Sequence, residues 1–146
     1  MSIRLGLEAR LYFKPSMADP GPWVEMGNVK DLTLNLEKGE ADVTTRANAG
    51  WRAMVGTLKE GSVEWSSVWD TEDPGFTAIK NAYFGNTPIA LAVMDGPVDA
   101  SGSKGLQADM SVISFSRSEP LEEALEVQIT LKPTYSTVAP EWVEVP

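Results

Sequence analysis

Long runs of this chain alternate apolar and polar residues with a period of two, and no other feature limits its fold so strongly. Ile3, Leu5, Leu7, Ala9, Leu11 and Phe13 are apolar, while Arg4, Glu8, Arg10 and Tyr12 face the other way. The pattern returns in Val29, Leu32, Leu34 and Leu36, in Val63, Trp65, Ser67 and Trp69, and in Leu106, Ala108, Met110 and Val112. It is most regular in Leu125, Val127, Ile129 and Leu131. Successive side chains of a strand point to opposite faces, so each run predicts a strand with one buried face. Lys14-Pro15 ends the first run, and "SMADPGPW" supplies bends through proline and glycine.

The spacing predicts one long hairpin over residues 29–47, with "EKGEAD" as its acidic loop. A second hairpin is expected from "WRAMVGTL" to "SVEWSSVW", turning at Lys59-Glu60-Gly61. Trp65 and Trp69, which share one face of that hairpin, read as core. "TPIALAVMD" adds a strand, "GPVDASGSKG" a loop, and the proline-punctuated tail "TYSTVAPEWVEVP" is expected to dock on the body or on a neighbour. One helix stands out. Asp73 is a good N-cap, Pro74 suits the first helical position, and Gly85 sits where a left-handed C-cap is wanted. Phe76, Ile79, Ala82 and Tyr83 recur between them at spacings of three and four, giving one apolar stripe able to lie on a sheet. The expected fold is therefore mainly β, a β-sandwich or barrel with one flanking α-helix over about residues 74–84. At 146 residues the chain suits a single domain over 1–146.

Composition removes much chemistry. The chain has no cysteine and no histidine, which excludes disulfides, thiolate sites and every Ser-His-Asp triad. Its 21 acidic and 12 basic side chains give a formal charge of −9. That balance argues against wrapping nucleic acid or resting on an anionic membrane, and no apolar run approaches the ~20 residues of a membrane span. No secretion signal is evident, so folding in a cytoplasm is expected. Glu119, Glu122 and Glu123 lie close in sequence, but a hydrolase pair normally comes from separate strands, and no catalytic role is expected of them. Asp95, Asp99 and Asp109 match no calcium-loop spacing and read as solvated loop acids. Arg46, Arg52 and Lys59 form a patch suited to an acidic partner or to neutralising local acids. Neither enzyme activity nor a cofactor or metal is expected. Trp23, Trp51 and Trp142 keep open a carbohydrate-binding β-sandwich, which requires exposed, coplanar rings.

Two blocks go beyond fold class. "GEADVTTRANAGWRAMVGTLKEGSVEWSSVWD" carries D-x-T-x-R after an acid, then a G-W pair, then L-K-x-x-S-V-E-W ending in W-D. "GLQADMSVISFSRSEPLEEALEVQITLKPTYS" carries F-S-R-S-E-P-L-E-E-A, an alternating strand and L-K-P-T. Together they resemble the major tail tube proteins of long-tailed (siphovirus-like) bacteriophages and the related subunits of gene-transfer particles. The resemblance implies a structural virion protein whose six copies close into a ring, with rings stacked into a tube that conducts DNA from capsid to host. It implies partnership with itself and with tape-measure, tail terminator and distal tail proteins, and DNA passing through without specific binding. It places the protein in the virion tail, and in host cytoplasm during assembly. Six copies at −9 would put −54 on each ring, repelling DNA rather than gripping it. On this reading Asp31, Glu37, Glu126 and Gln128 face the lumen. Rings meet through a long hairpin loop over about residues 37–50, where Glu37, Lys38, Glu40 and Asp42 meet Arg46 or Arg52 of a neighbour. That loop is expected to be mobile before assembly, and residues 134–146 are expected to form a C-terminal arm.

Overall fold

The computed structural model describes residues 3, 6–68, 70–118, 121 and 125–146, with the backbone only at positions 7 and 118. The expected strand positions Leu5 and Trp69, and the acids Glu119, Glu122 and Glu123, lie outside the described residues. Eight strands run antiparallel in one sheet: β1 (Arg10–Lys14), β2 (Val24–Glu25), β3 (Val29–Asp42), β4 (Met54–Val68), β5 (Ile89–Met94), β6 (Lys104–Ser118), β7 (Glu126–Pro133) and β8 (Glu141–Glu144). Their order is β2-β1-β5-β6-β7-β4-β3. β8 also pairs with β6, through Lys104–Gln107, while β5 holds the other edge of that stretch. β8 therefore follows β7 along the same edge of β6, after the excursion over residues 134–140. The C-terminal tail docks on the body, one of its two expected destinations.

Alternation decides which face is buried. Leu11, Leu91, Val93, Leu106, Ala108, Met110, Val127, Ile129, Leu131, Val63 and Trp65 form one apolar face, and each is nearly inaccessible. Trp65 is 2% exposed and its Nε1–H donates to Ser67 Oγ at 3.0 Å, which satisfies the polar end of a ring otherwise held by apolar contact. α1 (Pro74–Gly85) lies across this face against β5 and β6, inserting Phe76, Ile79 and Ala82. Asp73 caps it by accepting from the Gly75 N–H, as its sequence signature predicts. The left-handed residue at its end is Asn86, at φ 53, rather than Gly85, which ends the helix itself. Asparagine tolerates that conformation, and the Asn86 and Thr87 N–H groups close on Tyr83 and Ala82 carbonyls.

Three expectations change. The first strand begins at Arg10, not at Ile3, and Gly6–Glu8 is a 3-10 turn. Arg10 pairs with Met94, the last residue of β5, so no partner backbone extends further along that edge. The two expected hairpins, one over residues 29–47 and one turning at Lys59-Glu60-Gly61, are a single hairpin of β3 and β4. "EKGEAD" continues β3, and Lys59-Glu60-Gly61 runs straight through β4. These two turn-like stretches pair with each other, Glu37 opposite Glu60 and Lys38 opposite Lys59, so the reversal falls instead at residues 43–53. There Thr45 caps a short 3-10 turn, and Ala49 and Gly50 supply the positive φ values a tight reversal needs.

Asp109 is the third. It is not a solvated loop acid but sits in β6 at 4% exposure. Its Oδ1 accepts from the Met17 N–H at 2.9 Å and its Oδ2 from the Ser136 hydroxyl, while its own carbonyl accepts from the Thr134 N–H. One carboxylate thus ties the loop after β1 to the excursion after β7. Asp95 accepts from the Lys104 N–H in the turn between β5 and β6, and Asp99 is exposed. No cluster able to hold a metal ion occurs among the described residues.

Candidate functional site

The sheet face opposite the apolar one, over β3, β4, β7 and the later half of β6, is largely polar among the described residues, although Val68 shares the row of Glu126. The register sets its rows. Lys30, Ser66, Gln128 and Ser116 stand abreast, then Thr33, Glu64, Thr130 and Ser114. Asn35 opposes Ser62, and Lys132 opposes Ser111. Glu126 lies one row before Gln128, and its Oε1 receives the Lys30 Nζ at 2.9 Å. Hydroxyl and amide groups dominate, interleaved with four glutamates (Glu37, Glu60, Glu64, Glu126) and two lysines (Lys30, Lys132). The surface is therefore hydrated, weakly acidic and free of any cluster of like basic charge.

Of the residues expected to face a lumen, Glu37, Glu126 and Gln128 fall on this face by register. Asp31 does not join the rows. It sits in a β-bulge, where β3 takes three steps from Lys30 to Thr33 against two in β4. Its φ of 49 lies in the left-handed region, which aspartate tolerates. Glu60, Glu64, Lys30 and Ser66 were not singled out from sequence. Their signal was the period-two alternation of β4 and β3, unreadable while β4 is divided into two hairpin arms.

Beyond Val63 the hairpin leaves the sheet and continues as a two-stranded ribbon. Glu37, Lys38, Glu40, Asp42, Arg46 and Arg52 all lie on it. Within one copy Arg52 Nη1 already approaches Asp42 Oδ2 at 3.8 Å. The tip has its own bonds: the Thr45 N–H donates to Asn48 Oδ1, the Ala53 N–H to Thr44 Oγ1 and the Val43 N–H to the Ala53 carbonyl. Hydrogen bonding from Thr44, through its side chain first and its backbone second, holds the Asp42 carboxyl below the usual aspartate range. Little is buried here. Trp51 is 79% exposed and Leu58 80%. Like charges also face each other across the strands at Glu37/Glu60 and Lys38/Lys59, pairs that destabilise an isolated ribbon.

The three tryptophans considered for sugar binding sit on separate elements. Trp51 is at the hairpin tip, Trp142 is in β8, and Trp23 is half-buried before β2 with Lys14 Nζ 4.5 Å from its ring centroid. They do not make one platform. Among the described residues no helix is long and apolar enough to cross a membrane.

A family model described as "Phage tail tube protein" matches residues 10–134 of the chain. Among solved structures, the fold is similar to a chain in the tail of an empty gene transfer agent particle refined with C6 symmetry. That match has a TM-score of 0.74 at 13% identity, covering 97% of this chain and 99% of that one. A chain of the SPP1 tail tube gives a TM-score of 0.73 at 18% identity, covering 99% of this chain and 81% of that one. A chain of the anti-feeding prophage baseplate, 6-fold symmetrised, gives 0.67 at 8% identity over 99% and 98%. At such identities the likeness is one of fold. No curated protein gives a significant match.

Proposed function

The chain belongs to the phage tail tube protein family, and on that premise we propose that six copies close into a ring, that rings stack into a tube, and that DNA travels through its bore. The observation that carries this reading is the bare polar face of β3, β4, β7 and β6. A sheet normally leaves one face to water, but this one spans four strands and, among the described residues, is dominated by hydroxyl, amide and carboxylate side chains. Placed inward, it would line a bore with hydroxyls, amides and a surplus of two negative charges per copy, counting the four glutamates against the two lysines. Phosphate meeting basic side chains binds by releasing counterions, and a basic bore would hold DNA in place. A bore lined as above would let it slide.

Edges support the same arrangement. β3, 14 residues long, ends the strand order with β4 as its neighbour. Long open edges invite uncontrolled pairing, and closure into a ring removes them. The ribbon beyond Val63, with Glu37, Lys38, Glu40, Asp42, Arg46 and Arg52, would reach the next ring, where its like-charge pairs would meet opposite charges. Tape-measure, terminator and distal tail proteins would be the other partners, and assembly would take place in the host cytoplasm.

Negative-stain electron microscopy of the purified protein at high concentration tests the proposal. Hollow tubes, or rings with six-fold end views, are the expected result. Compact monomers at every concentration and salt would overturn it.

A further inference from the structure

The polar face over β3, β4, β7 and β6 ends in two unlike strands. One end is β3; the other is the later half of β6, which β7 accompanies from Met110 to Ser118. β5 pairs with the earlier half, from Gly105 to Met110. Six copies closing with that face inward place β3 of one copy beside the later half of β6 of the next. On the apolar side of β6, the end of α1 adds a cluster of rings. The centroids of Tyr83 and Phe84 lie 5.8 and 6.5 Å from that of Phe115, and Phe76 ties Phe115 to the core at 6.0 Å. The cluster is buried at its root and open at its end, with Phe76 6% exposed, Tyr83 39% and Phe84 75%. Contiguous rings that reach from a core into water mark a surface suited to an apolar partner. On the apolar side of β3, Leu32 and Leu34 are half-buried against the core and Leu36 is exposed.

Charge says which partner fits. The sequences of α1 and of β6 beyond Met110 hold one base each, Lys80 and Arg117, and no acid. β3 holds four acids (Asp31, Glu37, Glu40 and Asp42) against two bases, Lys30 and Lys38. A surplus of two bases therefore meets a surplus of two acids when unlike ends of two copies approach, whereas like ends repel. Lys80 is exposed and stands one turn before Phe84, so the base and the apolar knob share one helix surface. A knob on one surface whose complement lies on another makes a head-to-tail contact, which generates a ring where the rotation closes.

We infer that the Tyr83–Phe84 end of α1 packs on the apolar side of β3 in a second copy, with Phe84 against Leu34 and Leu36 and Lys80 toward the acids of that strand. The inference rests on the ring proposed above and adds which residues form the seam between neighbours within it.

The chain has no cysteine of its own, so a double variant, Asn81→Cys with Leu36→Cys, can be assembled and joined by a short bismaleimide. Asn81 is exposed three residues before Phe84, which leaves the knob itself intact. The expected result is a ladder of covalent species that ends at six chains. A ladder running on past six would place the contact between rings, and cross-links confined to single chains at monomer dilution would place it within one copy. Either would overturn the seam. Tubes seen by microscopy without any cross-link would overturn it too and leave the tube reading standing. Wild-type chains that stay monomeric in sedimentation would overturn both. Phe84→Ser adds a measurement independent of cross-linking. The ring is already exposed, so the unfolding midpoint of the monomer should hold, while the concentration needed for assembly rises roughly tenfold or more. Lys80→Glu should raise that concentration as well, more so at low salt than at high. An unchanged assembly concentration for Phe84→Ser would overturn the seam.

Discussion

At the scale of single residues, stability rests on a few close approaches. Gly105 faces Met94 in the β5–β6 ladder, and a Cβ built there would lie 1.9 Å from the Val93 carbonyl oxygen and 2.8 Å from the Met94 Cα. Backbone cannot yield as a flexible side chain does. Gly105→Ala should therefore cost at least the ~1–3 kcal/mol typical of overpacking, read from the guanidinium unfolding midpoint. Asp109 is the second such residue. Asp109→Ala orphans the Met17 N–H and the Ser136 hydroxyl, and the expected loss is about 1–3 kcal/mol in the same measurement. Asp42 gives a pH dependence instead. Its carboxyl is held below the ordinary range in the folded tip, so its ordering effect is fully present above the unfolded aspartate value and is lost as pH falls through the lower, folded one. Fluorescence of Trp51, at 79% exposure beside this tip, should change over that acidic window and stay flat at neutral pH. Asp42→Asn should abolish the change.

At the scale of elements, the hairpin and the sheet obey different economies. The sheet is held by apolar burial and by α1; the ribbon beyond Val63 is held by cross-strand backbone bonds with almost nothing buried. Amide exchange should consequently be much faster over residues 38–57 than in β5, whose six residues are all buried. Equal protection in both would contradict the reading of the ribbon as an arm awaiting a partner. The like-charge pairs add a sharper expectation. Glu60→Lys gives Glu37 an opposite charge across the strand and should stabilise the free chain by about 0.2–1 kcal/mol. The same change should impair tube formation, because the like-charge pair proposed to meet opposite charges on the next ring is then neutralised within the ribbon. A variant that is more stable yet assembles less well would separate the demands of the fold from those of the assembly.

At the scale of the whole molecule, the charge of the bore face is the property to alter. Glu64→Lys with Glu126→Lys turns a surplus of two acids on that face into a surplus of two bases, counting the same six charged residues. Tubes of this variant should retain DNA that wild-type tubes release in mobility assays, and added salt should reverse the retention. Which residues form this face was legible only in part. The alternations of Leu125–Leu131 and of Leu106–Val112 placed the buried sides of β7 and β6 correctly, and hence put Glu126 and Gln128 on the other. A period of two is a local property, and local sequence determines it. The capping pair Asp73 and Pro74 fixed the start of α1 for the same reason. Whether "EKGEAD" and "KEG" turn or extend was not local: each is turn-like alone, and only their pairing across twenty residues makes both into strand. Asp109 likewise looks like any acid until β6 carries it beneath the Met17 loop and the Ser136 excursion. Sequence by itself determined where the regular alternating strands such as β6 and β7 run, which segment coils into a helix and which side of those strands shuns water, because these follow from neighbours along the chain. The single antiparallel sheet, the long ribbon and the buried carboxylate were decided by tertiary structure alone, because each depends on which distant backbone is present to complete a hydrogen bond.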